Sequence, residues 1–430
     1  MGWTRLCHLL EQPVGEASRW WLAAVGLGYL VSSFITGPLA PERTQDGWFL
    51  RVGPIYLGRP VVTSGDSPHY LALVSSLVQD LDFDLANNYR QAEAGSWDLG
   101  ARLRGVPIDH HVDVDRQGRE LLFHPPFLPM LMATLVWPLR GTQWVESACI
   151  WLSLAAVLGS LYLLARMRPR MPVAGLLLLG LATPLWCYAR DLWTETWMTG
   201  AWVVMLAAAS PVLAAVAAVC GIWFKYSFAV VPAVMAGLAF WRKEFRRGLW
   251  LAGATAVGVG GGIAFAQYLF QDAGHFSLFH SGIHVFSGNR VLVVGPFGAT
   301  RTALPGLLLD PENGLLCFAP FLAWGLWPLL RRGGDLHLPA LAFFLLHCTY
   351  LGWRAGTGFS ARYLVPMLPV LVLAVMDSGR RPRWLFWAAA AWSLLVCGLA
   401  GLLPVAALDR TPWEMLGFLL EETRLLLASL

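Results

Sequence analysis

The sequence contains 430 residues, of which 57% are apolar and only 13% are charged, and 22 of them are tryptophan. Soluble domains carry about 25% charged residues, so this composition excludes an ordinary soluble protein and requires contact with lipid. The net charge is only +4, and the basic residues form short clusters between apolar runs, which excludes nucleic acid as a partner. The seven cysteines stand singly, as small core residues do.

The start of the chain predicts a cytoplasmic amphipathic segment over residues 1–18, followed by a polytopic membrane domain over residues 19–405. The first apolar run, from Trp20 to Ala40, ends in Gly-Pro-Leu-Ala, which resembles a signal-peptide cleavage site. We interpret it as an uncleaved span because many similar runs follow. A long extracytoplasmic loop is then predicted over residues 41–126.

Apolar runs that can cross ~30 Å of hydrocarbon recur along the chain and predict about eleven transmembrane helices. They begin near Trp20, Trp144, Met171, Trp197, Pro211, Tyr226, Leu249, Gly314, Pro339, Tyr363 and Trp384. The predicted fold class is therefore an all-α integral membrane protein whose long first loop carries interfacial helices. Residues 406–430 mix glutamates into leucine-rich sequence, which predicts a C-terminal amphipathic helix.

The orientation depends on the short apolar run at 127–139, which is preceded by two prolines. If this run lies flat in the outer interface, four basic clusters fall on the cytoplasmic side, as the positive-inside rule requires. If it crosses the membrane, all four face outward. We therefore place the run in the interface. The clusters are Arg166/Arg168/Arg170, Arg242/Lys243/Arg246/Arg247, Arg331/Arg332 and Arg380/Arg381/Arg383.

The first long loop contains Gly65-Asp66-Ser67-Pro68-His69-Tyr70, followed by apolar residues at helical spacing and by Asp80 to Asp84. A carboxylate in a glycine-flanked turn at the lipid boundary suits a general base, because partial burial raises the pKa of a carboxyl group. The alternative is that Asp66 caps the helix that begins at Ser67 or Pro68.

Two further polar stretches follow in the same loop. The stretch from Asp109 to Asp115 includes His110 and His111, so its side chains suit a metal ion, but the charged turn that follows favours a solvated loop. His124 precedes a Pro-Pro pair that fixes the backbone before the interfacial run, so we include it among the substrate-binding candidates.

Ionisable residues also occur where the chain re-enters lipid between Tyr188 and Trp197. Asp191 and Glu195 are the catalytic candidates there, since ionisable groups at membrane depth indicate function. The alternative is a local ion pair with Arg190. Lys225 lies between two apolar runs and either extends to the outer surface as an anchor or binds a phosphate.

A glycine-rich turn from Trp353 to Tyr363 places Arg354 and Arg362 just before a late span. Arginine suits the oxygens of a phosphodiester, so both are candidate substrate ligands together with Tyr363. The turn is not a nucleotide-binding P-loop, because the terminal Lys-Ser/Thr is missing. His275, His280 and His284 approximate helical spacing, which favours a wet interfacial helix over a metal site.

The order of these motifs along the chain resembles the GT-C superfamily of membrane glycosyltransferases, which includes protein O-mannosyltransferases and lipid A aminoarabinose transferases. The resemblance rests on the first-loop acidic motif, His124-Pro125-Pro126, the acidic turn that ends at Glu195, Lys225, and the segment from Ser360 to Pro366. The first-loop motif lacks the adjacent Asp-Glu pair of the O-mannosyltransferases, which leaves the acceptor open among lipid, polysaccharide and protein.

The resemblance implies transfer of a sugar from a polyprenyl-phosphate-linked donor to an acceptor hydroxyl, with inversion, on the periplasmic face of a bacterial inner membrane. The matching first-loop carboxylate, Asp66, would be the general base, and Glu195 or Asp191 would orient the acceptor. His69, His124, Lys225, Arg354, Arg362 and Tyr363 would bind substrate. A divalent metal, Mg²⁺ or Mn²⁺, stays open as a cofactor.

The competing interpretation from another class is a polytopic transporter or lipid flippase. Such a protein is expected to place ionisable residues near the bilayer midplane and to interrupt paired helices there. In this sequence the polar groups collect at one predicted surface instead, and no repeat of fixed period indicates two related halves.

Overall fold

Helices dominate this protein because a backbone surrounded by lipid must satisfy its hydrogen bonds within its own segment. The structure is a computed structural model that describes residues 10–15, 19–37, 49–52, 55–62, 65–94, 111–115, 117–271, 283–286, 289–292, 300–331, 334, 336–350, 352–354, 358–378, 382–403 and 410–429. Asp109, His110, His275 and His280 lie outside the described residues, so the predictions made for them are not addressed below.

The described helices follow the predicted apolar runs closely, and several begin or end with a 3-10 turn. In the first half they are α1 (Trp20–Ser33), α2 (Ser67–Gln79), α3 (Ala86–Glu93), α4 (Phe127–Val136), α5 (Trp144–Met167), α6 (Val173–Leu181), α7 (Leu185–Ala189), α8 (Thr194–Ala207) and α9 (Pro211–Phe224). In the second half they are α10 (Val230–Trp241), α11 (Phe245–Phe270), α12 (Thr300–Leu309), α13 (Leu315–Phe318), α14 (Ala323–Arg331), α15 (His337–Cys348), α16 (Leu368–Met376), α17 (Arg383–Leu402) and α18 (Pro412–Ser429). The 3-10 segments are Trp137–Leu139, Tyr226–Ala229, Pro320–Leu322 and Arg362–Met367.

Short strands, which the all-α prediction did not include, are confined to the loops. Strands β1 (Ile35–Gly37), β2 (Phe49–Val52) and β3 (Ile55–Gly58) form an antiparallel sheet in the order β1-β3-β2. Two antiparallel hairpins pair β4 (Val112–Val114) with β5 (Glu120–Leu122) and β6 (Ile283–Phe286) with β7 (Asn289–Leu292). His284, predicted on a helix, lies in β6.

Three helices among the described residues, α5, α11 and α17, are long and apolar enough to cross a membrane. Shorter apolar helices surround them. For example, α1 and α9 have 14 residues each, about 21 Å at 1.5 Å per residue. The protein is thus a helical membrane protein, while the number of about eleven spans stays a prediction.

Two of the four basic clusters meet in space, although they are far apart in sequence. Arg168, Arg242 and Arg247 line one cavity of about 430 Å³ together with His337 at the start of α15. Residues next to the Arg331/Arg332 cluster, including Gly334, complete its wall. Their convergence agrees with the prediction that these loops share one side of the membrane.

Aromatic packing joins the helices that carry the polar site described below. Trp202 of α8 meets Phe228 and Phe343 edge to face, with ring centroids 5.8 and 5.6 Å apart. A Cβ atom on Gly221 of α9 would collide with the Phe228 ring, so only glycine permits this close approach. Helix α9 ends at Phe224, and after Lys225 the 3-10 turn packs Phe228 back against Gly221 of that helix.

Candidate functional site

The turn before α2 places the first candidate, Asp66, inside the protein. Gly65 has a φ of 62°, a left-handed conformation that glycine adopts without strain. The hydroxyl of Ser67 donates to the backbone oxygen of Leu192 at 3.1 Å and ties this turn to the segment before α8. Asp66 is 6% exposed and its side chain does not cap α2, so the helix-cap alternative is wrong.

The second carboxylate, Glu195, lies in the first turn of α8 and is fully buried. Its Oε1 atom accepts from Lys225 Nζ at 2.6 Å and from Arg362 Nε at 3.0 Å. Its Oε2 atom accepts the hydroxyl of Thr194 at 3.1 Å. Lys225 is 3% exposed, so the interpretation of this lysine as a surface anchor is wrong.

Arg362 connects the two carboxylates, since its Nη2 atom forms an ion pair with Asp66 Oδ2 while its Nε atom contacts Glu195. The preceding residue, Ala361, has a left-handed φ of 38°, and its N–H donates to the backbone oxygen of Asn313. The guanidinium carbon lies 4.2 Å from the centroid of the Trp193 ring, which adds a cation–π contact.

These four side chains, Asp66, Glu195, Lys225 and Arg362, form a buried cluster that we call the charge quartet. Two negative and two positive charges leave it neutral, as burial in a low-dielectric interior requires. Burial alone would raise the pKa of the Asp66 carboxyl, but the Arg362 guanidinium beside it holds that pKa well below its usual range. Asp66 is therefore ionised at neutral pH, with one oxygen engaged by Arg362.

A group of aromatic and imidazole rings adjoins the quartet on the side of Asp66. His124 Nε2 lies 3.6 Å from Asp66 Oδ1 and 3.2 Å from His111 Nδ1. The His111 ring stacks on His69 with centroids 3.9 Å apart, and His69 Nδ1 lies 2.6 Å from the hydroxyl of Tyr89. Burial, the main cause, lowers the pKa of His124 to about 3, so its imidazole is neutral.

Sequence comparison with protein-family models gives no match, and comparison with characterised proteins gives none either. Structure comparison finds ArnT from Cupriavidus metallidurans in two crystal structures, one in the apo state and one bound to undecaprenyl phosphate. Both superpose with a TM-score of 0.50 at 16% sequence identity, over 90% and 91% of this chain. The chain has the ArnT fold. It spans 63% and 64% of the length of those ArnT chains.

The likeness to ArnT extends to the fold alone and agrees with the helical membrane architecture that the sequence predicted. Within this fold, the quartet draws on segments that are widely separated in sequence. Asp66 belongs to the first loop, and Glu195 lies in the first turn of α8. Lys225 directly follows α9, and Arg362 is the first residue of the 3-10 turn before α16. The ArnT fold thus brings together the residues that the separate sequence motifs singled out.

The remaining candidates occupy different positions in the ArnT fold. Tyr363 lies beside the quartet, with its ring centroid 4.4 Å from Lys225 Nζ. Asp191 is buried in the preceding turn, where its Oδ1 atom accepts the N–H of Leu192 at 2.8 Å. Arg354 lies outside the quartet, because its side chain is 63% exposed and pairs with Asp310 at 3.1 Å.

The surroundings of Arg190 and His111 differ from the interpretations considered in the sequence analysis. The alternative was a local pair of Arg190 with Glu195 or Asp191, and of these two carboxylates Glu195 contacts Lys225 and Arg362 instead. The Arg190 guanidinium donates to the backbone oxygens of Gly401, Leu402 and Ile35 and so fixes the turn to α17 and β1. His111, expected in a solvated loop, packs among His69 and His124 because the β4–β5 hairpin turns it inward.

Trp193 is the residue near the quartet that the sequence analysis missed. It belongs to the acidic turn that was quoted as a motif, but an indole between Leu192 and Thr194 gave no reason to single it out. In the structure it is 3% exposed, packs edge to face on Tyr188 with centroids 5.3 Å apart, and faces the Arg362 guanidinium. Tryptophan is the ring that binds a cation best.

Proposed function

We propose that this protein is a membrane glycosyltransferase that moves a sugar from a polyprenyl-phosphate donor to an acceptor hydroxyl, with inversion at the anomeric carbon. The acceptor is a lipid, a glycan or a protein. The observation that carries the proposal is the buried charge quartet in an ArnT fold, because its carboxylates suit proton transfer and its cations suit a phosphate. One of the two similar ArnT structures binds undecaprenyl phosphate.

In the proposed reaction the acceptor oxygen attacks the anomeric carbon as the bond from that carbon to the phosphate oxygen breaks. The acceptor proton moves to Asp66, which is ionised before the reaction. The electron pair of the broken bond leaves with the polyprenyl phosphate, whose added negative charge is offset by Arg362 and Lys225. Glu195 holds both cations in place, and the Lys225 ammonium group packs over the ring of Tyr363.

Arg362 has a second part in this mechanism because it pairs with Asp66 in the unliganded protein. A guanidinium bound to a carboxylate makes that carboxylate a weaker base. When the donor phosphate binds to Arg362, the phosphate shares the positive charge, and the basicity of Asp66 rises at the moment it is needed. Donor binding therefore precedes proton removal in this proposal.

The proposed location is the inner membrane of a bacterium, with the buried quartet on the periplasmic side. The convergence of two basic clusters at one cavity supports this orientation, because such clusters stay in the cytoplasm. Cysteine residues introduced at Arg242 and at Asp80 test it. Labelling of intact cells by an impermeant maleimide is expected at position 80 only, and labelling at position 242 would reverse the orientation.

Single-turnover transfer in proteoliposomes tests the reaction itself, with undecaprenyl-phosphate-linked radiolabelled pentoses and hexoses as donors and cell-envelope lipids and glycans as acceptors. We expect Asp66→Asn to lower the transfer rate by at least ~10², because asparagine keeps the shape but accepts no proton. Asp80→Asn, an exposed carboxylate in the same loop, is the matched control.

Three results of this experiment are decisive. Loss of transfer in Asp66→Asn with normal transfer in Asp80→Asn supports the assigned base. Normal transfer in both variants removes Asp66 from that role. Movement of the lipid across the membrane by wild-type protein, without transfer of any of the sugars, would contradict the proposed reaction and favour the transporter.

A further inference from the structure

Three side chains from separate parts of the chain offer ligand atoms to a common point. Asp66 precedes α2, His111 precedes β4, and His124 follows β5. One ligand atom from each residue lies within 4.8 Å of those of the other two. Among the described residues, this is the one group of three or more His, Cys, Asp or Glu side chains with such spacing.

The measured separations fit a bound metal ion. Ligand atoms that each lie 2.0–2.2 Å from one ion are about 3–3.5 Å apart in tetrahedral or octahedral geometry. The distance from His124 Nε2 to His111 Nδ1 is 3.2 Å, and the distance from the same nitrogen to Asp66 Oδ1 is 3.6 Å. The third pair, His111 and Asp66, has its ligand atoms within 4.8 Å, so an ion would draw these two side chains toward each other.

The surrounding contacts orient these ligands, as the outer contacts of metal sites do. Arg362 binds Oδ2 of Asp66, which leaves Oδ1 directed toward His124. The stacked ring of His69 fixes the plane of His111, and the hydroxyl of Tyr89 fixes His69 in turn. Phe123 packs against His124 with ring centroids 4.2 Å apart.

We propose that Asp66, His111 and His124 form a binding site for a divalent transition-metal ion of the Zn²⁺ class. Two imidazoles and one carboxylate suit zinc and its neighbours in the first transition row, whereas Mg²⁺ and Ca²⁺ prefer oxygen ligands alone. Each imidazole supplies one ring nitrogen and Asp66 supplies one carboxylate oxygen as ligand atoms. Three protein ligands leave at least one coordination position for water or substrate, and Asp66 Oδ2, which pairs with Arg362, is not a ligand of the ion.

The charge balance of the site favours an anionic substrate once the ion is bound. The quartet is neutral without the ion, so a divalent cation beside Asp66 leaves two positive charges uncompensated. The phosphodiester of the proposed donor offsets one of these charges, and the released polyprenyl phosphate, a monoester with about two negative charges, offsets both. Metal binding and phosphate binding at this site are therefore expected to strengthen each other, a coupling that acts equally in both directions. The metal proposal itself does not depend on glycosyl transfer, because its test measures the ion alone.

Metal binding to the purified full-length protein in detergent tests the proposal. After a chelator wash, we expect one Zn²⁺ per chain by elemental analysis, and Co²⁺ as a probe should give a visible absorption band that Zn²⁺ abolishes. His111→Ala and His124→Ala should each weaken the affinity for Zn²⁺ at least ~10-fold, since each removes a direct ligand. His337→Ala, a buried histidine in the basic cavity, is the matched control and should bind Zn²⁺ normally.

Folding is checked for each variant by gel filtration and by the melting of tryptophan fluorescence. If an alanine variant does not fold, His111→Gln and His124→Gln retain volume and polarity and replace it in the comparison. Stoichiometric Zn²⁺ binding that both ligand variants lose supports the site. Absence of Zn²⁺ binding by wild-type protein, or unchanged binding in the folded His111 and His124 variants, would overturn it.

Discussion

Removal of Arg362 tests the charge quartet most directly. In Arg362→Met the apolar stem is retained, but Asp66 and Glu195 are left with one cation, Lys225. Of these two carboxylates, Lys225 forms its ion pair with Glu195. Removing one partner of a buried ion pair costs roughly 3–5 kcal/mol, because the remaining charge stays buried without compensation. We expect the free energy of unfolding to fall by that amount.

Neutralising Asp66 in the same chain should reverse most of the loss. Arg362→Met/Asp66→Asn restores equal numbers of positive and negative charges, and Glu195 keeps its bond to Lys225. The coupling between the two substitutions should reach about 2–3 kcal/mol, the upper range for residues in contact. The assay is reversible unfolding in mixed micelles, followed by tryptophan fluorescence, of both single variants and the double variant. If the double variant loses as much stability as the sum of the single variants, the ion pair is not the cause and the reasoning fails.

Three further substitutions give distinct expectations. Arg354→Ala should bind undecaprenyl phosphate as wild type does, whereas Arg362→Ala should lose at least ~10-fold in affinity, because only Arg362 lies in the quartet. Equal losses of affinity in the two variants, measured by equilibrium binding, would show that Arg354 also contacts the phosphate. Glu195→Gln should lower the melting temperature more than Asp66→Asn, since Glu195 contacts two cations and Asp66 one; the reverse order in a thermal scan would contradict the geometry. Gly65→Ala should cost about 1–2 kcal/mol because of its left-handed backbone, and unchanged denaturant stability would show that the turn relaxes freely.

The sequence predicted the helical architecture well because the apolar runs are long and clearly separated. It could not predict where helices break. The predicted span from Met171 became α6 and α7, and the span from Gly314 became two helices around a 3-10 turn. Prolines at positions 184, 320 and 328 mark these segments, but a proline only disfavours continuation and does not fix where the chain resumes.

The individual quartet residues were also found from the sequence, because an ionisable residue within apolar sequence is conspicuous. Their pairing was not found. Asp66 and Arg362 are 296 positions apart, and which cation meets which carboxylate depends on how the helices pack. Arg354 and Arg362 flank the same glycine-rich turn and looked equivalent, yet one pairs with Asp310 near the surface and the other is buried.

His111 shows why a local pattern misled the interpretation of the first loop. Gln117 to Arg119 do form a turn, and Asp115 accepts hydrogen bonds from the backbone N–H groups of Gln117 and Arg119. That turn closes the β4–β5 hairpin, however, and His111 stands at the opposite, open end of the hairpin. There the hairpin meets α2, so polarity near the turn predicts nothing about burial at the other end.

The spread of the quartet along the chain sets an order of events during synthesis. Glu195 and Lys225 are only 30 positions apart and can pair as soon as α8 and α9 have entered the membrane. Asp66 must wait for 296 further residues, about 15–60 s at a synthesis rate of 5–20 residues per second, before its guanidinium partner exists. If synthesis stops before residue 362, most helices are already in the membrane, but Asp66 in the first loop has no guanidinium partner. Arg362, near the end of the chain, thus completes a site that the first loop began.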